Sequence, residues 1–462
     1  MPQEACANPI VDNEERLLLM RGPLIALCFV ALSVAWLIFF GAGVRQADWD
    51  AALLFLGATA LFYWAFRSGQ TPPRIPAWQV AALWALPAYA VLQMIPLPPA
   101  MLELLSPARS AITESLGGVI AGLNHAPIAI APAAAMSGFF SLLACLTVYS
   151  LMRDLEWRLA DTRPWLPVAP LILIAAIEAS IGVGQWLGRP QALPVRGTLS
   201  SGEHFAGVLE IALPFSLVFG FISFRRHQTQ QTGSSLPAAR AATSWLAAFM
   251  ILMALFHSNS ATSRIVVYAS LFCLLSFAVI PRLKTKSLRL YGTGGVAFIA
   301  VAVVLIALSS NDLQGSLAQF STSDHQSADM RSGLWNSAES LLGEYRLVGA
   351  GMGGFESSFP KYQGPTDLNR IQQPHNDVLE LLITFGIVGS CIALVVLAGI
   401  LRPAVLGAIF LQDESRRLLA AAVTAAVAGV MVRSTMEASL SMPAVAMAFG
   451  WVAGLSQSSG VD

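Results

Sequence analysis

The stretch DVLELLITFGIVGSCIALVVLAGIL (377–401) is 25 residues long, and its charged side chains all lie within its first four residues. A run of about 20 apolar residues is long enough to cross the hydrocarbon core of a bilayer as a helix. Similar runs recur along the whole chain, which is 55% hydrophobic and 12% charged. That charged fraction is about half the average for soluble proteins, so the sequence predicts an all-α polytopic membrane protein.

Twelve such runs predict about twelve transmembrane helices. With the N-terminus inside, 17 of the 27 Lys and Arg residues fall on the inner side, as the positive-inside rule requires. Both termini are therefore expected in the cytoplasm. The runs lie at approximately 22–43, 51–66, 77–94, 133–152, 165–187, 203–223, 242–257, 264–281, 290–309, 377–401, 417–433 and 442–457.

Two long segments are predicted on the outer side. Residues 95–132 mix apolar and polar side chains in a pattern typical of a helix lying on the membrane surface. Residues 310–376 form a large loop between predicted helices 9 and 10. This loop divides the chain into residues 1–309, with nine helices, and residues 377–462, with three. Loops of this length are commonly functional, so we expect a folded and functional loop.

Two features stand out within this loop. Apolar residues recur at helical spacing over about residues 328–343, which predicts a helix with one apolar face. The following GAGMGGF (349–355) superficially matches a dinucleotide-binding fingerprint, but no predicted strand precedes it. Its glycines instead predict a tight turn with positive backbone angles.

Four clusters of ionisable residues are predicted at the outer ends of helices, where charged groups tend to face a cavity or a partner. An arginine forms paired hydrogen bonds to phosphate oxygens, and a histidine transfers protons near neutral pH. The clusters therefore suit transfer of a group from a diphosphate-activated donor to a hydroxyl or amine. They are VRGTLSSGEHFAG (195–207) with Arg196, Glu203 and His204, HSNSATSR (257–264) with Arg264, QQPHNDVLE (372–380) with His375 and Asn376, and VRSTMEAS (432–439) with Arg433.

Each candidate also has a structural interpretation. Arg196 is equally explained by contact with lipid headgroups. An arginine at a helix start commonly extends to the membrane surface, but Ser260, Thr262 and Ser263 beside Arg264 favour a polar pocket and a functional role. His375 and its neighbour Asn376 stand where residues that cap a helix are common. His204, Arg433 and Glu437 are interpreted as structural.

Five segments recur in a characteristic order: RGTLSSGEHFAGVLEIALPF (196–215), SNSATSR (258–264), RSGLW (331–335), GEYRLVGAGMGGF (343–355) and PHNDVLELLITFGIVGS (374–390). This order resembles the O-antigen ligase and Wzy-type polymerase superfamily. The resemblance implies a GT-C-like membrane enzyme of the bacterial inner membrane with its active site on the periplasmic face. It also implies a metal-independent, inverting glycosyltransferase with no cofactor and a polyprenyl (undecaprenyl) diphosphate-linked glycan as donor.

The resemblance further assigns roles to individual residues. It implies that Arg196 and Arg264 bind the donor diphosphate and that His375 activates the acceptor. The family often has an asparagine-rich stretch where this chain reads SSGE (200–203), so the roles of the residues around it stay open. The possible supporting residues are Asn376, His204, Arg331, Glu203 and Arg433.

Several functions remain to be distinguished. A ligase would transfer glycan to a hydroxyl acceptor such as a lipid A core, whereas a polymerase would extend a growing lipid-linked chain. A cell-wall glycan polymerase of the shape–elongation–division type would depend on a loop carboxylate and a divalent metal. A lipid-linked glycan flippase is an alternative of another class, but it should show repeated halves or charges deep within helices, and neither is seen. The formal net charge of zero gives no field that attracts nucleic acid.

Overall fold

The structure is a computed structural model that describes residues 9–40, 46–66, 74–117, 125–160, 162–188, 195–229, 234–258, 260–283, 285–295, 325–363 and 371–456. Regular structure in these residues is helical, and Leu97 and Ala126 form an isolated antiparallel bridge. The predicted all-α class is therefore confirmed. The main helices are α1 (Pro9–Phe39), α2 (Gln46–Phe66), α3 (Ala77–Met94), α4 (Pro99–Leu105), α5 (Pro107–Gly117), α6 (Pro132–Leu159), α7 (Ala169–Gly188), α8 (Gly202–Thr229), α9 (Leu236–His257), α10 (Ala261–Val279), α11 (His325–Glu344), α12 (Gly354–Ser358), α13 (Asp377–Phe410), α14 (Glu414–Ser434) and α15 (Pro443–Gly454).

Eight helical regions of the described chain are long and apolar enough to cross a membrane, and two shorter apolar helices, Ala52–Ala65 and Pro443–Gly454, accompany them. A polytopic helical membrane protein is thus confirmed. The third predicted span coincides with α3, which is not among the eight, and most of the ninth, 290–309, lies outside the described residues. The count of twelve therefore stays a prediction. The eight regions are Gly22–Phe39, Pro132–Leu159, Leu166–Gly188, Gly202–Thr229, Leu236–His257, Thr262–Arg282, Asp377–Phe410 and Glu414–Ser434.

Helix α8 lies at the centre of the helical core. It packs against α7, α9, α10, α14 and α15 and is the most buried of the eight candidate spans. Small residues allow membrane helices to approach each other closely. A Cβ atom on Gly207 of α8 would lie 3.3 Å from Nε of Arg433, and one on Gly429 would lie 2.5 Å from Oγ of Ser270. Gly207 therefore allows α8 to approach the end of α14 closely, and Gly429 allows α14 to approach α10.

Helix α13 is interrupted at Gly386, where φ is 65° and ψ is −172°. These angles fall in a region that is essentially restricted to glycine. A Cβ atom here would also lie 2.4 Å from the carbonyl oxygen of Leu347. The predicted span 377–401 is therefore two helical segments, 377–385 and 387–410, which we call the first and second halves of α13.

The glycine-rich turn after α11 supplies partners for the backbone groups that the interruption frees. Three of its glycines, Gly349, Gly351 and Gly353, have φ values of 78°, 88° and 66°, which confirms the predicted turn. Unpaired backbone groups cost several kcal/mol each within a bilayer, so this turn stabilises the interruption. Four hydrogen bonds of 2.8 to 3.3 Å join the turn to α13: Ala350 N–H to Ile383 O, Gly351 N–H to Thr384 O, Ile387 N–H to Arg346 O and Val388 N–H to Leu347 O.

The two long segments that were predicted on the outer side contain the expected helices. Helix α11 covers the predicted 328–343, and its Leu334, Ala338 and Leu341 are buried against Phe355 and Phe359. In the other segment, α4 and α5 leave several apolar side chains exposed, as expected for helices at a membrane surface. These are Met101, Leu104, Ile112 and Leu116.

Candidate active site

The last turn of α14 places Arg433 at the centre of the candidate site, with a side chain that is only 1% exposed. An arginine has five N–H groups, and here all five are donated within the protein. Nε donates to Oγ of Ser439 (2.8 Å), and Nη1 donates to both carboxylate oxygens of Glu210 (2.9 and 3.0 Å). Nη2 donates to the backbone oxygen (2.5 Å) and the carboxylate (2.8 Å) of Glu203. This buried arginine therefore ties α14 to α8.

Glu203 connects Arg433 to the start of α10. Its carboxylate also accepts a hydrogen bond from Oγ of Ser260 at 2.7 Å. Ser260 in turn caps α10 by accepting the N–H of Ser263 at 3.2 Å. The polar clusters that contain Glu203, Ser260 and Arg433 therefore meet in space.

The third cluster is joined to the turn between α14 and α15. Asn376 caps α13 by accepting the N–H of Leu379 at 3.0 Å, and its Nδ2 donates to the carbonyl oxygen of Thr435 at 3.0 Å. The carboxylate of Asp377 accepts hydrogen bonds from this same turn, from Ser434 Oγ (2.8 Å), Ser439 N–H (3.1 Å) and Leu440 N–H (3.0 Å). Both residues therefore fix where α13 begins.

His375 directly precedes this start of α13 and has a φ of 51°, which residues other than glycine rarely adopt. Its side chain is 49% exposed, and its Nδ1 lies 3.5 Å from Oε2 of Glu437, which is 4% exposed. The backbone N–H of Glu437 donates to the carbonyl oxygen of Arg433 at 2.9 Å. In the tautomer that carries its proton on Nδ1, facing the carboxylate, Nε2 of His375 can accept a proton.

His204 lies in the first turn of α8, close to the same group of residues. Its Nδ1 is 3.3 Å from Oγ of Ser200, and its backbone N–H donates to Oγ of Ser201 at 3.2 Å. It is also near enough to Arg433, Glu437 and His375 for their charges to act on it. Residues from all four predicted clusters thus surround one region at the ends of α8, α10, α13 and α14.

The two arginines assigned to the donor are held differently from Arg433. Arg196 and Arg264 are both exposed, and within the described part of the chain neither guanidinium makes a hydrogen bond or ion pair. Arg264 lies in the first turn of α10, directly after Ser263. Both side chains are therefore open to a ligand, although the fold does not bring either one into the Arg433 network.

The loop that carries Arg196 is fixed by two residues of α7. Gln185 donates to the carbonyl oxygen of Gly197 at 2.6 Å and accepts the backbone N–H of Gly197 at 3.0 Å and of Arg196 at 3.3 Å. The buried Glu178 accepts the N–H of Thr198 at 3.1 Å and also bonds to its hydroxyl. The loop backbone is therefore rigidly positioned while the Arg196 side chain stays free.

A cavity of about 430 Å³ lies between α3, α6, α13 and α15, and both halves of α13 line it. Most of the residues that line it are apolar, including Leu86, Leu142 and Phe449. Among the described lining residues, Asp377 and Glu380 are the charged ones. Apolar cavities with a few polar groups suit ligands that have both characters.

Sequence reasoning missed some residues of the site and could not place others. Glu210 and Glu178 were not predicted, although a carboxylate inside an apolar run is a recognisable signal. Arg331 was predicted, but its side chain lies outside the described residues. In the part of the chain that the structure describes, no group of three or more His, Cys, Asp or Glu residues is arranged to hold a metal ion.

Comparison with known families bears on the same region. Residues 246–394 match the family model described as O-antigen ligase. The matched segment includes the start of α10, the glycine-rich turn, His375 and the interruption of α13, and it confirms the resemblance expected from the sequence. Among curated proteins, no significant match to the chain is found.

Proposed function

Because residues 246–394 carry an O-antigen ligase domain, we propose that the protein is a glycosyltransferase of the bacterial inner membrane that acts on its periplasmic face. It transfers a glycan from a polyprenyl diphosphate carrier to an acceptor hydroxyl, with inversion at the anomeric carbon and without a metal ion or other cofactor. The observation that carries the proposal is His375, which is half exposed and lies against the buried Glu437. A histidine oriented by a carboxylate is suited to act as a general base.

In the proposed reaction, Nε2 of His375 takes the proton of the acceptor hydroxyl as the hydroxyl oxygen attacks the anomeric carbon of the donor sugar. The new glycosidic bond forms while the bond from the anomeric carbon to the diphosphate oxygen breaks. The electron pair of that bond leaves with the polyprenyl diphosphate. Glu437 stabilises the imidazolium that forms, and the proton then passes from His375 to solvent.

Arg196 and Arg264 are proposed to bind the donor diphosphate. Their exposed guanidinium groups make no protein hydrogen bonds among the described residues, so their donors are available to phosphate oxygens. They neutralise the charge that develops on the leaving diphosphate, which is an interaction strongest in the transition state. Arg433 is proposed to position Glu203 and Glu210 instead, because its guanidinium already donates to both carboxylates and to Ser439.

The acceptor decides between a ligase and a polymerase. A ligase would use a hydroxyl of a lipid A core or of another non-carrier molecule, and a polymerase would use a glycan on a second polyprenyl carrier. The apolar cavity lined by both halves of α13 supports lipid-linked substrates in both cases. We favour the ligase-like reaction because the matched family model is described as O-antigen ligase. The polymerase stays the alternative, since both reactions require the same base and the same diphosphate contacts.

The test is a transfer assay with purified protein in liposomes, a radiolabelled polyprenyl-diphosphate glycan as donor, and each acceptor class supplied separately. The wild-type protein should form labelled product, and His375→Ala should lower the rate by about a hundredfold or more, as expected for loss of a general base. His227→Ala is the matched control, since His227 is exposed near the other end of α8. It should keep the wild-type rate.

Three outcomes would contradict the proposal. Equal rates in the wild type and His375→Ala would remove the base from the mechanism. Loss of activity in a chelator, restored by a divalent cation, would favour the metal-dependent cell-wall polymerase. Movement of labelled donor between leaflets with no new glycosidic bond would favour the flippase.

A further inference from the structure

The interruption of α13 is contacted by a glutamine from a different helix. Gln93, near the end of α3, is 1% exposed, and its Nε2 lies 2.7 Å from the carbonyl oxygen of Val348 and 2.9 Å from that of Thr384. One amide group therefore bridges α3, the glycine-rich turn and the first half of α13. Tyr89, one turn earlier on α3, donates to the same Val348 oxygen at 3.0 Å.

The chemistry of the contact fixes how the amide is oriented. Both neighbouring atoms are carbonyl oxygens, so only the NH₂ group of Gln93 can bond to them. The side-chain oxygen of Gln93 is buried and has no hydrogen-bond partner among the residues that the structure describes. Leaving that oxygen unsatisfied costs free energy. The two hydrogen bonds from the NH₂ group to the interruption offset this cost.

The first half of α13 depends on contacts at its two ends. No continuous helix joins it to the second half, because Gly386 breaks the helical path. At its start, Asn376 and Asp377 bind the turn between α14 and α15. At its end, Thr384 is held by Gly351 and by Gln93. Gln93 lies outside residues 246–394, the segment that matches the O-antigen ligase family model.

We propose that Gln93 is a positioning residue for the transfer reaction, a role that rests on the proposed function. A helical segment of nine residues spans about 13 Å at 1.5 Å per residue, and this length separates the Gln93 contact from His375. It fixes the depth and direction of the first half of α13, and hence the place of His375 at its beginning. A shift of about 1 Å in a catalytic group can lower a rate about a hundredfold.

The test compares two glutamines of the same helix. Gln93→Met removes both donors while it keeps a long, flexible side chain. Gln79→Met is the matched control, because Gln79 is also buried in α3 and donates to α13, but to Gly399 in the second half (3.0 Å). Both variants lose the contact from α3 to a carbonyl of α13, so a purely structural role predicts similar effects.

Kinetics separate positioning from general destabilisation. Gln93→Met should lower kcat by about tenfold to a hundredfold, with the KM for the donor unchanged, because Arg196 and Arg264 are on other elements. Gln79→Met should keep kcat within about twofold. Gln93→Glu adds a rescue, since a protonated carboxyl can donate one hydrogen bond and a carboxylate none. Its kcat relative to the wild type should rise as the pH falls.

Each contrary result has a distinct meaning. Equal loss of kcat in Gln93→Met and Gln79→Met, or a Gln93→Met effect confined to KM, would overturn the inference while the proposed function stands. Absence of transfer by the wild-type protein would overturn the proposed function and the inference with it.

Discussion

Arg433, Arg196 and Arg264 were all predicted near outer helix ends, yet their surroundings differ. Arg433 is 1% exposed and donates every N–H group to protein oxygens. The other two are exposed, so their guanidinium groups can meet an added anion. Removing one partner of a buried ion pair leaves an uncompensated charge, whereas removing an exposed arginine leaves none. The residues should therefore differ in what their loss affects.

Arg433→Met tests the structural role of the buried arginine. It should destabilise the protein by about 3–5 kcal/mol, because Glu203 and Glu210 lose their partner. Adding Glu210→Gln should restore part of the stability by removing one of the unpaired carboxylates. Thermal unfolding in detergent provides the measurement, and Arg402→Met, at an exposed position of α13, is the control. Full stability of Arg433→Met would show that the network is dispensable.

Glu437→Gln tests the carboxylate beside His375. The variant keeps the shape of the side chain but no longer stabilises a positively charged imidazole. We expect kcat to fall about tenfold to a hundredfold while the KM for the donor and the unfolding temperature stay near wild type. Steady-state transfer kinetics and a melting curve together provide the measurement. An unchanged kcat would show that the 3.5 Å contact has no catalytic role.

The site residues that could be predicted are ionisable residues that stand next to an apolar run in the sequence. His375, Glu203 and Arg433 follow this rule, because ionisable groups near a membrane are expensive and seldom placed without reason. Pairing could not be predicted, since Arg433 and Glu210 are 223 residues apart in the chain. The structural interpretation of Arg433 agrees with its contacts, whereas the assigned roles of Arg196, Arg264 and His375 stay predictions.

At the scale of elements, the interruption of α13 is the feature that hydropathy did not predict. An apolar run records composition and length, and residues 377–401 satisfy both criteria without revealing the path of the backbone. Glycines are common in membrane helices, so Gly386 by itself did not indicate a break. The glycine-rich turn was predictable because three positive φ angles follow from its composition. The hydrogen-bond partners of this turn depend on tertiary contacts, which the sequence does not reveal.

Gly386→Ala tests whether the interruption is required. Its φ of 65° with ψ of −172° is strained for any residue with a side chain, at about 1–3 kcal/mol, and the new Cβ would meet the Leu347 carbonyl oxygen. We expect a lower unfolding temperature and a loss of transfer activity. Gly184→Ala in α7 is the control, since no atom lies within 4 Å of its Cβ position. A Gly386→Ala protein with wild-type stability and activity would contradict the role given to the break.

At the scale of the whole molecule, the charges at the two ends of the helices differ. The polar network of His375 and Arg433 forms at one end of α8 and α14. At the opposite end of these helices, Arg225 forms an ion pair with Glu414, and Arg226 donates to Oγ of Ser415 at 3.3 Å. Arginines concentrate on the cytoplasmic side of membrane proteins. The arginines at this opposite end support the proposed position of the site on the outer side.

This orientation predicts which residues a membrane-impermeant thiol reagent reaches. In a variant without the five native cysteines, Gln372→Cys would lie just before His375, and Gln228→Cys at the other end of α8; both positions are exposed. In intact cells with a permeabilised outer membrane, the reagent should label Gln372→Cys and leave Gln228→Cys unlabelled until the inner membrane is broken. The reverse pattern would place His375 in the cytoplasm. A donor in the periplasm could then not reach His375, and the proposed reaction would be ruled out.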